Sequence, residues 1–286
     1  MKSDLHLVFQ NGAQSLTFAY DWPFWIEELD GVTSSEFDVS TRALSSQDGE
    51  LYLNSQATKR TITITAVCRA ADAPFECQRE AVLSFFQPRS EGTLYFYEGT
   101  VSRKIAYQVK SAKFETSGQF RALEVQLVCP DPVWKALEDE VVSMAQVVGD
   151  MEFPAELIGA FTVSHRNESV MATIDNNSNA ARSLTITFEA SGVVTNPTLI
   201  EVTRQERLQV NVTMHSGDIL TVTTGAGSKR VQLTSDGVTS NANNLWVYGS
   251  TWLQAEPGRN IYRYTADSGE GSLSATIRST PGYWGA

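Results

Sequence analysis

Apolar and polar residues alternate along most of the first half of the chain, the period-two signature that sends successive side chains to opposite faces of a strand. Leu5-His6-Leu7-Val8-Phe9 runs into the turn signal Asn11-Gly12, a strand entering a hairpin. Further strands are predicted over 36–40, 60–68, 93–97, 105–109 and 120–129. Within 60–68, Ile62, Ile64 and Ala66 share one face. Within 120–129, Leu123, Val125, Leu127 and Cys129 alternate against Ala122, Glu124, Gln126 and Val128. One segment departs from this rhythm. From Ala73 to Phe86 the apolar residues Phe75, Val82, Phe85 and Phe86 recur at helical spacing, Pro74 suits a first helical position, and Arg79 and Glu80 fall on the polar side. A single helix near residues 73–87, packed on a sheet, follows.

Between Asp131 and Pro154 the pattern breaks. Pro132-Val-Trp134-Lys-Ala-Leu137 is followed by the acidic run Glu138-Asp-Glu140, and then by Gly149 and Pro154, which marks a connection opened by a short helix over 132–138. Beyond it the chain is rich in Thr, Val, Ser and Asn, residues that favour strands and turns over long helices. Strands are predicted over 159–164, 183–189, 198–204, 208–212, 219–223, 230–233, 245–248, 260–266 and 272–278. Turn signals fall between them, among them Ser191-Gly192, Asn196-Pro197, Asp236-Gly237 and Pro257-Gly258. Short strands at this spacing indicate a sandwich or jelly roll. A length of 286 residues fits two domains, here 1–134 and 155–286 joined by a linker over 135–154.

Composition narrows the function classes. A formal charge of -11, spread over both halves, disfavours sequence-independent nucleic-acid binding, which rests on Lys and Arg neutralising phosphates. A negative lumen past which DNA slides is compatible with it. The polar start Met1-Lys-Ser-Asp-Leu-His6 has no apolar stretch behind it, and no run approaches the length that spans a bilayer, so neither export nor membrane insertion is expected. The three cysteines, Cys68, Cys77 and Cys129, show no CxxC spacing and read as reduced, buried thiols. His6, His165 and His215 lie far apart, so no metal site is expected. There is no GxSxG, no GxxxxGK[ST], no GxGxxG opening a helix and no HExxH. No catalytic, cofactor-binding or metal-ligating residue is therefore assigned, and no cofactor is expected. Carboxylate pairs brought together by folding would escape a reading of spacing alone.

Two aromatic groups admit two readings. Phe18, Tyr20, Trp22, Phe24 and Trp25 form either a sugar-stacking platform or a core-and-interface cluster, and the second is preferred because such residues dominate buried interfaces. Trp246, Tyr248, Trp252, Tyr262 and Tyr264 either line a carbohydrate groove or fill a sandwich core, again with the core preferred. Asn167-Glu-Ser169, Asn176-Asn-Ser178 and Asn211-Val-Thr213 match the glycosylation pattern and carry no weight without a secretion signal.

The order of several segments resembles the distal tail proteins of long, flexible-tailed bacteriophages. In the first half these are Glu28-Leu-Asp-Gly31, Thr41-Arg42 before Gln47-Asp-Gly49, Lys59-Arg-Thr-Ile-Thr-Ile64, Leu83-Ser-Phe85, Gly92-Thr-Leu94 and Val128-Cys-Pro-Asp-Pro132. In the second half they are Val194-Thr-Asn-Pro197, Ser216-Gly-Asp-Ile-Leu220, Trp252, Glu256-Pro-Gly-Arg-Asn-Ile261 and Tyr283, and Thr198 stands where such domains often have Gly after Asn-Pro. The resemblance implies a mainly β protein: a ring-forming N-terminal β-sandwich with one helix and an extended arm, then a galectin-like β-sandwich projecting outward. It further implies a virion protein, a homohexameric hub joining the tail tube protein to the tail-tip protein, in some members with receptor-binding proteins, and no enzyme. Adhesion to a host glycan through the second domain is the alternative.

Overall fold

The computed structural model describes residues 4–286 except 22, 34, 46–47, 69–74, 116–120, 145, 150–163 and 168–169. The chain divides into two compact units, the first holding 1–137 together with 282–286, the second 138–281.

In the first unit the alternating segments become β1 (His6–Asn11), β2 (Gln14–Ala19), β3 (Phe24–Asp30), β4 (Phe37–Ala43), β5 (Glu50–Ala57), β6 (Arg60–Cys68), β7 (Glu91–Glu98), β8 (Val101–Glu115), β9 (Arg121–Cys129) and β10 (Trp134–Ala136), with one helix, α1 (Phe75–Phe85). Strands neighbour one another in the order β10-β8-β7-β1-β2-β3-β6-β9, and β9 pairs back onto β8. The long β8 makes this closure possible. Its first half lies along β7, from Val101 opposite Glu98 to Gln108 opposite Glu91, and its second along β9, from Gln108 opposite Val128 to Glu115 opposite Ala122. The sheet thus closes into a barrel, which removes the exposed edges that an open sheet would carry. Ile62, Ile64 and Ala66 face inward beside Leu123, Val125 and Leu127, all fully buried. Each such Ile, Val or Leu side chain contributes about 1.5–3 kcal/mol on burial. Val82, Phe85 and Phe86, at the end of α1, cover one side of this core, with the Phe86 ring edge-on to Phe9 at 5.2 Å. The helical spacing therefore marks a lid on the barrel; its expected first residues, 73–74, lie outside the described residues.

The second unit comprises β11 (Glu140–Met144), β12 (Gln146–Gly149), β13 (Ser164–Asn167), β14 (Met171–Asn176), β15 (Arg182–Ala190), β16 (Val194–Thr195), β17 (Thr198–Glu201), β18 (Glu206–Gln209), β19 (Thr213–Met214), β20 (Ile219–Thr223), β21 (Arg230–Ser235), β22 (Val238–Asn241), β23 (Gln254–Ala255), β24 (Gly258–Thr265) and β25 (Leu273–Ser279). One sheet runs β11-β25-β15-β20-β21-β22 with β23 on β15; the other runs β14-β24-β17-β18. Both contribute to one core: Leu184, Ile186 and Phe188 of β15 and Ile277 of β25 join Ile174, Leu199 and Tyr262 of the second sheet. This is a sandwich.

A last strand, β26 (Gly282–Tyr283), returns to the first unit and pairs with β10, Trp134 opposite Tyr283. Three local readings change as a result of such long-range pairings. The helix expected over 132–138 is strand β10, because Lys135 and Ala136 also pair with Lys104 and Arg103 of β8. Residues 135–154, read as linker, hold strands as far as 149; Glu140 to Met144 pair with β25. The strand expected over 245–248 is a short 3-10 turn, Asn243–Leu245, followed by a single bridge of Trp246 to Val210. There the chain turns back at Gly249, φ +85°, which lets two indoles meet. Strands β2, β3, β5, β14 and β22 and the two-residue β16, β19 and β23 were likewise not among the predicted ones, and the strand expected over 159–164 lies outside the described residues except for Ser164.

Candidate functional site

Strands β4 and β5 form a hairpin that pairs with no other strand among the described residues. All of β4 is exposed, and in β5 only Ser55 and Ala57 are partly covered. Yet its side chains include Phe37, Val39, Leu51, Tyr52 and Leu53, every one of them exposed. Cross-strand partners share a face, so Phe37, Val39 and Tyr52 lie on one face, and Leu51, opposite Arg42, on the other; Leu53 occupies a bulge between Ser40 and Thr41. Thr41 Oγ1 donates to the Glu50 carboxylate across the hairpin. A lone two-stranded ribbon is marginally stable in water, and a contiguous exposed apolar patch marks an interaction surface. The hairpin is an arm with an apolar coat.

The root of the arm is built around Arg60. It opens β6 at the same parity as Ile62, Ile64 and Ala66, and the alternation carries it inward, where it is 3% exposed. Burying a guanidinium is costly unless its donors are filled. Nε donates to the Pro132 carbonyl at 2.8 Å, and Nη1 to the carbonyls of Gly31 at 2.6 Å and Val32 at 3.2 Å. Nη2 donates to the Trp284 carbonyl at 2.6 Å and to Ser35 Oγ, whose own hydroxyl donates to the Trp284 carbonyl at 2.8 Å. Burial lowers the pKa of Arg60 from its ordinary value, and the neighbouring Cys129 opposes that shift.

Packing around this node is close. Gly31 has φ +78°, and a Cβ there would sit 2.0 Å from the Thr61 carbonyl oxygen, so only glycine fits. A Cβ on Gly285 would meet the Thr33 carbonyl oxygen at 2.4 Å. The buried Trp134 donates from Nε1 to the Val32 carbonyl at 3.2 Å, and the Ala286 amide donates to the same carbonyl at 3.2 Å. Arg103 lies 3.8 Å from the centroid of the Tyr283 ring and donates to the Gly285 carbonyl. The rings of Phe37 and Trp284 meet at 5.0 Å. Gly31, Arg60, Pro132 and Tyr283, from four separate stretches of the resemblance, thus belong to one small region. The signal for Arg60 was present in the sequence, as a charge at an inward position of a period-two strand; nothing local pointed to Trp284.

The residues weighed for chemistry are dispersed. Cys68 and Cys129 are free and buried, and burial pushes their thiols up to about 11 and about 12 respectively, the latter opposed by Arg60. Thiols so placed are poor nucleophiles. His6 is exposed and stacks on Tyr97 at 4.7 Å; His215 Nδ1 lies 3.8 Å from Asp218. The side chains of Cys77 and His165 lie outside the described residues, as does Trp22. Among the described residues no cluster of three His, Cys, Asp or Glu side chains is arranged to hold a metal ion. Of the first aromatic group, Phe18 and Phe24 are buried in the barrel core. In the sandwich unit Tyr262 and Tyr264 are core residues, while Trp246 and Trp252 stack face to face at 3.9 Å with Lys229 Nζ 5.7 Å above Trp252. That stack uses one face of each indole. Tyr248, in the same loop, is fully exposed.

Two family profiles match the chain: the phage tail protein RIFT-related domain over residues 20–129, and the siphovirus-type tail component, C-terminal domain, over residues 177–281. Among solved structures, the Dit (gp 19.1) protein of phage SPP1, described as a paradigm of the hub adsorption apparatus in phages infecting Gram-positive bacteria, matches with a TM-score of 0.68 at 15% identity, covering 96% of this chain and 98% of that one. The phage P2 baseplate in its activated conformation with Ca matches at TM-score 0.55 and 8% identity, covering 98% of each chain. Its counterpart with Sr matches at 0.53 and 8%, covering 96% of this chain and 97% of that one. At these identities the likeness is one of fold. No curated protein sequence matches the chain.

Proposed function

Because the chain belongs to the siphophage distal tail protein family and is a structural component of the tail tip, carried in the virion, we propose that it is a ring-forming hub: six copies assembled through their barrel units, with each arm seated on a neighbouring copy. In this reading the ring joins the tail tube protein on one side to the tail-tip protein on the other, and the sandwich unit is the outward module that receives receptor-binding proteins. The hub acts as a scaffold, without catalysis or a cofactor. One observation carries the proposal: the arm exposes Phe37, Val39, Leu51, Tyr52 and Leu53 while pairing with no other strand among the described residues. An apolar ribbon of this kind gains its stability from a surface supplied by another molecule. Native mass spectrometry over a concentration series tests it, with a species six times the 31.4 kDa chain mass expected. A strict monomer at every concentration, together with absence from the tail tips of immunolabelled particles, overturns it.

A second reading, adhesion to a host glycan through the sandwich unit, is favoured by Tyr248, whose ring is free in the loop that carries the stacked Trp246 and Trp252. Sugars stack on such rings through their apolar faces. Calorimetric titration of the full chain with cell-wall saccharides decides it: binding that Tyr248→Ala abolishes supports the reading, and no heat with any saccharide removes it.

A further inference from the structure

Residues 282–286 follow the whole sandwich unit in sequence, yet they belong to the barrel unit, at the root of the arm. They hold that root at several points. The Ala286 amide donates to the Val32 carbonyl, the Trp284 carbonyl accepts from Ser35 Oγ and from Arg60, and the Trp284 ring packs on Phe37, the first residue of the arm. Gly285 lies so close to Thr33 that no side chain fits between them. On its other flank the segment is anchored to the barrel by Tyr283, paired with Trp134 and covered by Arg103. A ribbon whose two strands pair only with each other is directed by what grips its base.

We infer that the 282–286 segment is a clasp that positions the arm for assembly, with Trp284 as the positioning residue. Since the clasp is encoded after residues 138–281, the arm is set for docking only once the sandwich unit has been made, and partial chains do not enter the ring. The inference rests on the reading of the arm as a self-association element, so its test has a readout that does not depend on assembly.

Amide hydrogen exchange of the full-length protein is measured in Phe37–Ala43 and Glu50–Ala57 for the parent, Gly285→Val, Trp284→Ala and Trp284→Phe. Gly285→Val pushes the segment off Thr33 without altering any residue of the arm, and Trp284→Phe keeps a ring against Phe37. Gly285→Val and Trp284→Ala are expected to speed arm exchange about 10-fold or more through easier local opening, with Trp284→Phe within about 3-fold of the parent. Exchange in β6 and β9 stays at the parent rate, which a general loss of stability would not allow. In sedimentation, the two fast-exchanging variants are expected to need at least about 10-fold more protein to associate. Unchanged arm exchange in both Gly285→Val and Trp284→Ala overturns the clasp, and so does a uniform rise that includes β6 and β9. A parent protein that never self-associates refutes the ring, while the exchange comparison still decides the clasp.

Discussion

Two antiparallel hairpins of the barrel unit, β7–β8 and β4–β5, both carry large apolar side chains and end in opposite surroundings. In β7–β8 the apolar positions Leu94, Phe96, Ile105 and Tyr107 are buried, covered by the closed sheet and the end of α1. In β4–β5 Phe37, Val39, Leu51 and Tyr52 are exposed. Propensity and turn chemistry make a ribbon in both cases; what differs is whether the same chain supplies the cover. Large apolar side chains on a ribbon thus do not by themselves mark a core, and the surroundings decide whether they are core or interface.

That contrast can be broken by comparing substitutions. The largest effect is expected in the barrel: Leu127→Asp, fully buried in β9, places an unpaired carboxylate in the core and should cost about 4–5 kcal/mol in urea denaturation. An unchanged midpoint would mean that the face is wrongly assigned. Next, Arg60→Ala leaves the carbonyls of Gly31, Pro132 and Trp284 without their guanidinium donors, for a loss of about 2–4 kcal/mol in the same measurement. The double variant Leu51→Asp with Tyr52→Asp, on the exposed arm, should change monomer stability by no more than about 0.5 kcal/mol while abolishing self-association in sedimentation. A loss of stability equal to that of the barrel substitution would erase the distinction between the two hairpins. The smallest effect is expected from Tyr107→Phe. The Tyr107 hydroxyl is buried without a hydrogen-bond partner among the described residues, and its pKa is pushed up to about 12 by burial, so removing it should be neutral or stabilising by less than about 1 kcal/mol.

Strands whose apolar and polar residues alternate cleanly were the most legible, whether their partners lie near in sequence or far. The segments over 60–68 and 219–223 agree with β6 and β20 in both bounds, and the inward faces of β6 and β9 follow their alternation. The segment over 245–248 misled because all four of its residues are apolar or aromatic, whereas the contact that shapes it is the stacking of Trp246 on Trp252. Strands β10 and β26 were illegible for another reason: two or three residues carry no period, and their partners lie far off in sequence, β8 and β26 for β10 and β10 for β26. Of the candidate site, the arginine could have been found. Arg60 and Arg182 both open strands whose inward positions are otherwise apolar, and both are buried. Arg182 meets Glu140 at 2.5 Å and Asn176 at 2.7 Å, side chains that stitch β11 and β14 to β15, whereas Arg60 meets mainly carbonyls that only the finished fold assembles. The charge marked a node in each case, but not what it joins.

The chain's double passage between its units also bears on damage. A protease that nicks a loop of the sandwich unit, for example at Gly225–Gly227, makes two fragments. The first keeps its covalent link through Leu137, and the second ends in residues 282–286, seated on β10 and Arg60. The ladder of β15 with β25, Leu184 opposite Ser279 through Ala190 opposite Leu273, binds the fragments to each other as well. A single cut is therefore expected to show on a denaturing gel and not in the mass of the native protein.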